Sequence, residues 1–223
     1  MSQFLYETHC HSCAGSACAS ITPEELVREY HRAGYAGLVL TDHFFHGNTA
    51  ISRDLPWEAW VKGYCEGYFR AQEAAKTLDF DVLFGIEHAY GNGYEVLCYG
   101  LSPEDLLHTP QLPDLELEDF ALWVHGLGGI VVQAHPYRYS SSHSWLRKDI
   151  LDGVEVFNAG LSPEQNAAAA QAARSAGLLE TSGADTHHIY SQRIGKAGIW
   201  LPYRVTDSKL LAQAMKAKQH RLL

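Results

Sequence analysis

Long apolar runs and a leader pattern are both missing from this sequence of 223 residues. No apolar stretch reaches the ~18 residues that a membrane-spanning helix requires. Residues 1–7 contain neither the basic segment nor the apolar segment that is typical of a signal peptide. These two absences predict a cytoplasmic protein that neither crosses nor binds a membrane.

Positive charge is also scarce, because 17 lysines and arginines stand against 26 acidic residues and give a formal net charge of −9. Long nucleic acids are bound largely through Lys and Arg on their phosphates, so this balance argues against long DNA or RNA as a partner. A small anionic substrate is compatible with the acidic balance, since bound metal ions would reverse the local electrostatic field.

Cysteine is infrequent and its count is odd, with five cysteines against 13 histidines. An odd number without a leader argues against a disulfide framework. Cys10 and Cys13 form one Cys-x-x-Cys pair, which we interpret as free thiols because no second pair accompanies it. Histidine is the commonest metal ligand, so the positions of the histidines become the informative feature.

No linker rich in proline, glycine or serine divides the chain, and residues 1–223 are expected to form a single domain. Apolar runs alternate with helical patterns along the whole length. The predicted strands occupy residues 4–9, 37–43, 81–87, 94–99, 129–135, 153–158, 179–185 and 199–201. The predicted helices occupy residues 22–33, 57–78, 117–127, 162–176 and 207–219. This alternation is typical of an α/β protein whose mainly parallel sheet is covered by helices.

Polar side chains follow most of these strands at the point where each strand ends. They are His9 and His11, Asp42 and His43, Glu87, His135, and Asp185 with His187. The carboxyl ends of the strands of a closed barrel converge on one face, so donors far apart in the chain can meet there. A mixed set of nitrogen and oxygen donors suits Zn²⁺, Mn²⁺ or Fe²⁺ better than Ca²⁺. The pattern predicts two or three bound divalent ions.

The same positions carry a resemblance to a known family. The ordered motifs are Glu7-Thr8-His9-Cys10-His11-Ser12, Leu40-Thr41-Asp42-His43, Gly85-Ile86-Glu87, Ala134-His135-Pro136 and Ser182-Gly183-Ala184-Asp185-Thr186-His187. Over residues 4–201 they resemble the PHP (polymerase and histidinol phosphatase) family. The resemblance implies a distorted (β/α)7 TIM-like barrel with a trinuclear metal site. It implies one ion held by His9, His11, Glu87 and Asp185, a second held by His43 and His187, and a third held by Glu87 and His135.

Two positions depart from the family pattern. Members usually have a further His or Asp six or seven residues after the second histidine of the first motif, where this chain has Ala17 and Cys18. A Cys18 thiolate would be a softer ligand, and we favour a second site that lacks this ligand or is completed by water. Many members have a histidine in the strand after the Gly85-Ile86-Glu87 motif, and the matching residue here is Glu95, a candidate oxygen ligand.

Ions about 3.5–4 Å apart can generate hydroxide near neutral pH and clamp a phosphoryl group. We therefore expect a metal-activated hydroxide to attack phosphorus, with Asp42 or His188 protonating the leaving group. Arg138 and Arg193 are the arginines best placed to hold the outer phosphate oxygens, since a guanidinium matches their geometry.

Further residues are candidates for supporting roles. Glu155 and Asn158 end a predicted strand, where they can orient histidine ligands or make a purely structural hydrogen bond. Four aromatic residues can line a substrate pocket or pack in the core: Trp57, Trp60, Tyr137 and Tyr139.

Four functions compete on the sequence alone. The leading one is hydrolysis of a small phosphomonoester, such as one that resembles histidinol phosphate. A phosphodiesterase or exonuclease acting on short nucleic-acid pieces would use the same metals. A non-catalytic regulatory module that binds metal gains weight from the missing ligand near Ala17. An amidohydrolase is disfavoured, because no lysine ends a mid-barrel strand. The sequence does not indicate the oligomeric state.

Overall fold

The computed structural model describes residues 3–139 and 146–223. The strands in these ranges are β1 (Phe4–Cys10), β2 (Gly37–Leu40), β3 (Asp81–Gly91), β4 (Tyr94–Tyr99), β5 (Ile130–Gln133), β6 (Gly153–Asn158), β7 (Leu179–Gly183), β8 (Ile199–Leu201) and β9 (Arg221–Leu222). The helices are α1 (Pro23–Arg32), α2 (Trp57–Ala75), α3 (Pro103–Leu107), α4 (Leu117–Gly126), α5 (Pro163–Ala176) and α6 (Ser208–Lys216), and a 3₁₀ turn spans Leu112–Asp114.

All the described strands join one curved sheet in the order β7-β6-β5-β4-β3-β2-β1-β8-β9. The sheet curls until the chain after β7 meets the end of β1. There the Asp185 amide donates to the His9 carbonyl at 2.8 Å, and the His11 amide donates to the Thr186 carbonyl at 2.9 Å. These bonds nearly close a barrel, which confirms the expected α/β barrel architecture.

The distortion of the barrel lies at β4, which runs antiparallel to both β3 and β5. The β3–β4 connection turns at Asn92 and Gly93, whose φ angles of 52° and 77° are the left-handed values that a tight hairpin turn requires. A hairpin therefore replaces one of the crossover helices of a regular barrel. This turn carries Glu95 back towards the carboxyl end of β3.

Several of the described helices begin where the sequence provides a capping residue. Thr22 with Glu25 and Ser162 with Gln165 form reciprocal capping boxes at α1 and α5, and proline occupies the first turn of each. The sequence patterns did not predict α3, which begins at a third capping box formed by Ser102 and Asp105. Its five residues are too few to show helical periodicity.

The two faces of the sheet pack into different parts of the core. Val39 and Leu83 join a cluster that includes α6, whereas Leu38 and Val82 pack against α1 and α2. Alternate residues of a strand point to opposite faces, so each central strand is buried on both sides. No helix of the described ranges has both the length and the apolarity needed to cross a bilayer. A cytoplasmic location stays a prediction.

Candidate metal centre

The structure brings all eight expected donor residues together at the carboxyl end of the barrel. Their ligand atoms form four groups of three, and within each group the atoms lie within 4.8 Å of one another. The groups are His9-Glu87-His135, His9-His11-Asp185, His11-His43-His187 and His43-Glu87-Glu95. Since the groups share members, they describe one continuous cluster of donors.

Glu87 in β3 lies at the middle of this cluster and is fully buried. Its Oε1 is 3.2 Å from His9 Nε2 and 2.9 Å from His135 Nε2. Its Oε2 is 2.9 Å from His43 Nδ1 and 3.3 Å from His11 Nε2. One carboxylate thus faces four imidazoles, which is the arrangement that lets its two oxygens bridge neighbouring cations.

The pKa values of the side chains in the cluster are shifted in different directions. Burial opposes ionisation of Glu87, but the cationic His9 and His43 outweigh it and hold the pKa of Glu87 well below its usual range. Burial opposes protonation of His9, yet Glu155 and Glu87 raise its pKa well above the ordinary value. Burial and the neighbouring His43 instead lower the pKa of His11 well below that value. Without metal, the surroundings of His9 therefore favour its protonated form and those of His11 favour its neutral form.

Several buried atoms of the cluster make no hydrogen bond of good geometry with the described residues, although His43 Nδ1 and Glu87 Oε2 lie 2.9 Å apart. They are Glu87 Oε2, Asp185 Oδ1 and His43 Nδ1. A buried polar atom without a partner costs about 1–3 kcal/mol, and more when it is charged. Divalent cations bound between these atoms would satisfy them, so the donor set fits the metal ions that the sequence predicts. The mixture of imidazole and carboxylate is suited to Zn²⁺, Mn²⁺ or Fe²⁺.

The grouping of donors differs in detail from the one that the family resemblance implies. His11 lies with His43 and His187 as well as with His9 and Asp185. His9 lies with Glu87 and His135, and Glu95 adds an oxygen beside His43 and Glu87. His11 and Glu95 are therefore placed to supply donors that the implied second and third sites lack.

Unusual backbone conformations direct two of these donor side chains towards the cluster. His135 and Asp185 have φ angles of 25° and 53°, values that residues other than glycine adopt rarely and at some energetic cost. Each residue lies two positions after the end of a strand, where the turn redirects the side chain towards the cluster. Gly183 allows β7 to approach closely, since a Cβ there would meet His9 Cβ at 2.4 Å and Glu155 Oε1 at 2.6 Å.

Glu155 in β6 orients two of the histidines. Its Oε1 is 2.9 Å from His9 Nδ1, which directs His9 Nε2 towards Glu87. Its Oε2 accepts hydrogen bonds from the His135 amide and from Asn158 Nδ2, each at 2.9 Å. A carboxylate on the outer nitrogen of a metal-binding imidazole fixes the ring and its tautomer.

We expect Glu155→Gln to weaken metal binding by about 10–100-fold while the protein stays folded, because the amide retains the shape but offers one acceptor fewer. Calorimetric titration with Zn²⁺ or Mn²⁺ measures the effect. Glu180→Gln on the neighbouring strand β7 is the matched control, since the Glu180 carboxylate pairs with the exposed Arg174. Equal affinities for the two variants would remove this role from Glu155.

Asp42 lies beneath the cluster and not at its open side. Its Oδ1 accepts hydrogen bonds from the Ser12 amide and from Ser16 Oγ, both at 2.7 Å, and its Oδ2 accepts one from Ser12 Oγ at 2.8 Å. Burial raises the pKa of Asp42 to about 6, against the hydrogen bonds from the two serines. Asp42 thus holds the loop after β1, and these contacts give no support to the acid role that we expected for it.

The open side of the cluster is a cavity of about 660 Å³, whose wall includes Arg138, His188 and Arg193. Arg138 Nη2 donates to Asp185 Oδ2, and Arg193 Nη1 donates to the Asp185 carbonyl at 2.8 Å. His188 Nδ1 lies 2.9 Å from Ser20 Oγ. The three residues expected to contact substrate, apart from Asp42, therefore lie around one opening.

The aromatic candidates divide between the cavity and the core. Tyr139 lines the cavity. Trp60 of α2 is fully buried, and Trp57 of the same helix stacks on it at a centroid distance of 5.4 Å. Both pack in the core. Tyr137 packs against the cluster formed by β6 and α5. The cavity also has an aromatic residue that the sequence reading missed, Tyr190, which is 94% exposed.

Two polar residues that support the donors were also missed. Ser16 Oγ contacts His11 Nδ1 and accepts from the His43 amide, each at 3.0 Å, so one hydroxyl holds two ligand-bearing segments. Glu7 Oε1 accepts from the amides of His9 and Ala184, each at 2.9 Å, and thereby ties β1 to β7. An acidic residue inside an otherwise apolar strand is a signal for Glu7, whereas nothing in the sequence pattern distinguishes Ser16.

Known structures share this architecture. A two-domain protein from Bacteroides vulgatus, described as containing a predicted PHP-like metal-dependent phosphoesterase, superposes with a TM-score of 0.75 at 16% identity. The match covers 100% of this chain and 65% of that protein. This chain has the PHP fold. The family resemblance is thus confirmed at the level of the fold, and the chain spans less than two thirds of the Bacteroides protein.

Other proteins that share the PHP fold with this chain carry different descriptions. A lesion-specific endonuclease from Pyrococcus furiosus gives a TM-score of 0.67 at 11% identity, over 99% of this chain and 58% of that protein. An amidohydrolase from Chromobacterium violaceum with bound sulfate gives a TM-score of 0.61 at 17% identity, over 97% of each chain. At such identities the similarity shows the fold and leaves the reaction open.

Sequence comparison adds one local similarity to this PHP-fold chain. A 5′-3′ exoribonuclease of Haemophilus influenzae is 34% identical over 71 residues, which cover 29% of this chain and 26% of the exoribonuclease. No family model matches the sequence.

Proposed function

We propose that this chain is a metal-dependent phosphoric ester hydrolase that acts on small phosphomonoesters. The observation that supports the proposal is the convergence of eight donor residues on the buried Glu87 at the floor of a cavity. A purely structural role does not explain so many buried ionisable groups, because burying them without a bound cation costs free energy.

The ligands in this proposal are the members of the four donor groups, with Glu87 shared between ions. They are His9, His11, His43, Glu87, Glu95, His135, Asp185 and His187. Bound divalent ions would supply Lewis acidity to the phosphoryl oxygens and would lower the pKa of water. We propose two or three such ions, of Zn²⁺, Mn²⁺ or Fe²⁺.

The arginines at the opening bind and orient the phosphate in this scheme. Arg138 Nη1 lies 3.7 Å from Glu95 Oε2, and Arg193 Nη1 lies 3.8 Å from Asp185 Oδ2, so both guanidinium groups are held beside donor carboxylates. Gly160 permits the position of Arg193, since a Cβ at Gly160 would meet its guanidinium carbon at 2.6 Å. A guanidinium held in this way presents planar donors that match phosphate oxygens.

His188 is the residue that we assign to protonation of the leaving group. It lines the cavity, whereas Asp42 does not, and its Nδ1 is already engaged by Ser20 Oγ. The Nε2 atom is therefore the one that donates a proton to the departing oxygen. The exposed position of His188 also lets water restore that proton after each turnover.

The decisive assay compares an aryl phosphate monoester with the corresponding diester, using protein loaded with Mn²⁺ or Zn²⁺ and protein treated with chelator. We expect chelator-sensitive hydrolysis with a higher kcat/KM for the monoester. An Arg193→Met variant should raise KM for the monoester more than it lowers kcat, because it removes a binding contact. Stoichiometric metal binding without hydrolysis of either ester would favour the non-catalytic module.

A phosphodiesterase acting on short nucleic-acid pieces is the second candidate. Two observations favour it: the local similarity to an exoribonuclease, and the exposed aromatic side chains of Tyr139 and Tyr190 beside the cavity. Aromatic faces stack nucleobases without sequence preference. Faster hydrolysis of the diester, together with a loss of activity on an oligonucleotide in Tyr190→Ala, would select this candidate over the first.

A further inference from the structure

We propose that a second cavity beside the metal centre binds the leaving group of the substrate, and that it selects alcohols that donate hydrogen bonds and carry no negative charge. We call it the leaving-group cavity. The inference rests on the proposed function and deepens it, since it names the class of phosphomonoester that the same site takes.

The leaving-group cavity adjoins the cavity whose wall includes Arg138 and Arg193. It has a volume of about 510 Å³ and lies between the loop after β2, the turn between β3 and β4, and the loop before α4. Asn48 and Glu95 belong to the walls of both cavities. Glu95 Oε1 is also 3.3 Å from His43 Nδ1, so the two cavities meet beside the donor cluster. A phosphoryl group held at the cluster therefore has room for its leaving group on this side.

Contacts between the surrounding segments fix the shape of the leaving-group cavity. His46 Nε2 lies 2.6 Å from the Pro113 carbonyl oxygen, which joins the loop after β2 to the loop before α4. Tyr90 donates a hydrogen bond to Gln133 Oε1 at 2.7 Å, which ties the end of β3 to β5. The cavity is thus formed without a ligand, as small-molecule sites usually are.

One buried polar side chain in the wall of this cavity lacks a hydrogen bond. His88 lines the cavity although it is only 2% exposed, and one face of its ring stacks on Phe120 at a centroid distance of 3.9 Å. Its Nδ1 is buried and forms no hydrogen bond with residues 3–139 or 146–223. A neutral imidazole accepts one hydrogen bond and donates another, and leaving a buried polar atom without a partner costs free energy. A hydroxyl or ammonium group of a ligand would supply a partner to this side chain.

Acidic side chains outnumber basic ones in the same wall. The acidic ones are Glu95, Asp114 and Glu116, whereas no lysine or arginine of the described ranges lines the cavity. The amino end of α4 does not offset them, because Glu118 and Asp119 lie in its first turn and already face the helix dipole. A carboxylate or a second phosphate in this cavity would be repelled, whereas hydroxyl and ammonium groups would donate hydrogen bonds to the carboxylate oxygens.

This distribution of charge distinguishes the two ends of the substrate. Arg138 and Arg193 lie on the side that binds the phosphate, and the carboxylates lie on the side that receives the alcohol. An oligonucleotide would bring a further phosphate towards these carboxylates. The leaving-group cavity therefore favours the phosphomonoester over the nucleic-acid candidate.

The test is calorimetric binding of a series of pentylphosphonates to protein loaded with Mn²⁺. These compounds are not hydrolysed, and they differ only in whether the chain ends in a methyl, hydroxyl, ammonium or carboxylate group. We expect the hydroxyl and ammonium compounds to bind about 10-fold more tightly than the methyl compound, which is the effect of about one hydrogen bond. The carboxylate compound should bind about 10-fold more weakly than the methyl compound, because it meets like charges.

A substitution at His88 tests the hydrogen bond. His88→Phe keeps an aromatic ring of similar size to stack on Phe120 and removes both ring nitrogens. It should abolish most of the advantage of the hydroxyl compound over the methyl compound. Circular dichroism and elemental analysis check that the variant folds and keeps its metal.

A second variant tests the charge and does not disturb the core, since Asp114 and Glu116 are exposed. Asp114→Asn combined with Glu116→Gln should remove most of the penalty on the carboxylate compound. Glu118→Gln combined with Asp119→Asn is the matched control, because it makes the same two changes in the first turn of α4, outside the cavity wall. The control should keep the wild-type ratios of affinity.

The outcomes separate this inference from the proposed function. Tightest binding of the carboxylate compound, or ratios of affinity that neither variant changes, would overturn the leaving-group cavity and leave the metal centre in place. If the hydroxyl and ammonium compounds bind best but none of the corresponding phosphate esters is hydrolysed, the selective cavity stands and the proposed hydrolysis fails. Binding of none of the phosphonates would overturn both.

Discussion

Glu87→Gln is expected to lower kcat/KM for the preferred phosphate ester about 10³-fold and to reduce the number of bound metal ions. The neutral amide removes the negative charge that four histidines face, and it turns one of the two oxygens into a donor. Loss of one partner from a buried charge pair costs about 3–5 kcal/mol, which corresponds to about 10²–10⁴-fold in rate if the whole cost falls on the transition state.

The measurement combines steady-state kinetics with elemental analysis of the purified variant. Glu58→Gln is the matched control, since Glu58 is exposed in the first turn of α2, away from the cluster. The control should keep wild-type kinetics and metal content. Wild-type activity in Glu87→Gln would show that the centre around Glu87 does not perform the chemistry.

Removal of metal is expected to abolish hydrolysis and to lower the thermal midpoint by about 5–10 °C. A ligand present at about 100 times its Kd stabilises the folded state by about 2.7 kcal/mol, and for a chain of this size each kcal/mol shifts the midpoint by about 2–4 °C. Addition of Mn²⁺ or Zn²⁺ after chelation should restore both quantities. Glu87→Gln should show a much smaller change in midpoint.

The stabilisation by metal should grow as the pH rises from about 6 to about 8, because protons and cations compete for the imidazoles. In the metal-free protein the pKa values of His9 and His43 are raised, against burial, by Glu155 and Glu87. Their contribution to stability is full below the unfolded pKa and is lost as the pH rises through the folded values. Metal therefore stabilises most where this contribution is fading, and a pH-independent shift would contradict the exchange of protons for metal.

At acid pH, the stability of the metal-free protein should decrease as the pH falls. The pKa of Asp185 is held well below its usual range, because His9 and His11 outweigh the effect of burial. That contribution is present above the unfolded pKa of an aspartate and is lost as the pH falls through the folded value. Melting curves of chelated protein should therefore show a stability maximum between these two limits.

Local patterns in the sequence predicted the order of the main strands and helices and indicated the residues that we propose as metal ligands. Continuous apolar runs such as residues 37–40 and 130–132 predict buried strands, and capping residues such as Thr22 and Ser162 predict where helices begin. Convergence of the carboxyl ends then follows from the barrel, so His11 and His187 could be expected to meet although most of the chain separates them, and their ring centroids lie 4.2 Å apart. Local patterns were sufficient to predict these strands and helices, because hydrophobic runs and capping residues act over a few neighbouring residues.

The grouping of those residues, and the neighbours that support them, depend on the tertiary structure and could not be predicted from local patterns. The pairing irregularity in β1 between Glu7 and Cys10 and the positive φ of Asp185 set the direction of each side chain. Asp42 was one of two candidates for protonating the leaving group, and its carboxylate is held under the loop by Ser12 and Ser16. Such placements depend on distances of a few ångströms between segments remote in sequence, which are fixed by sheet curvature and packing and leave no periodic trace in the chain.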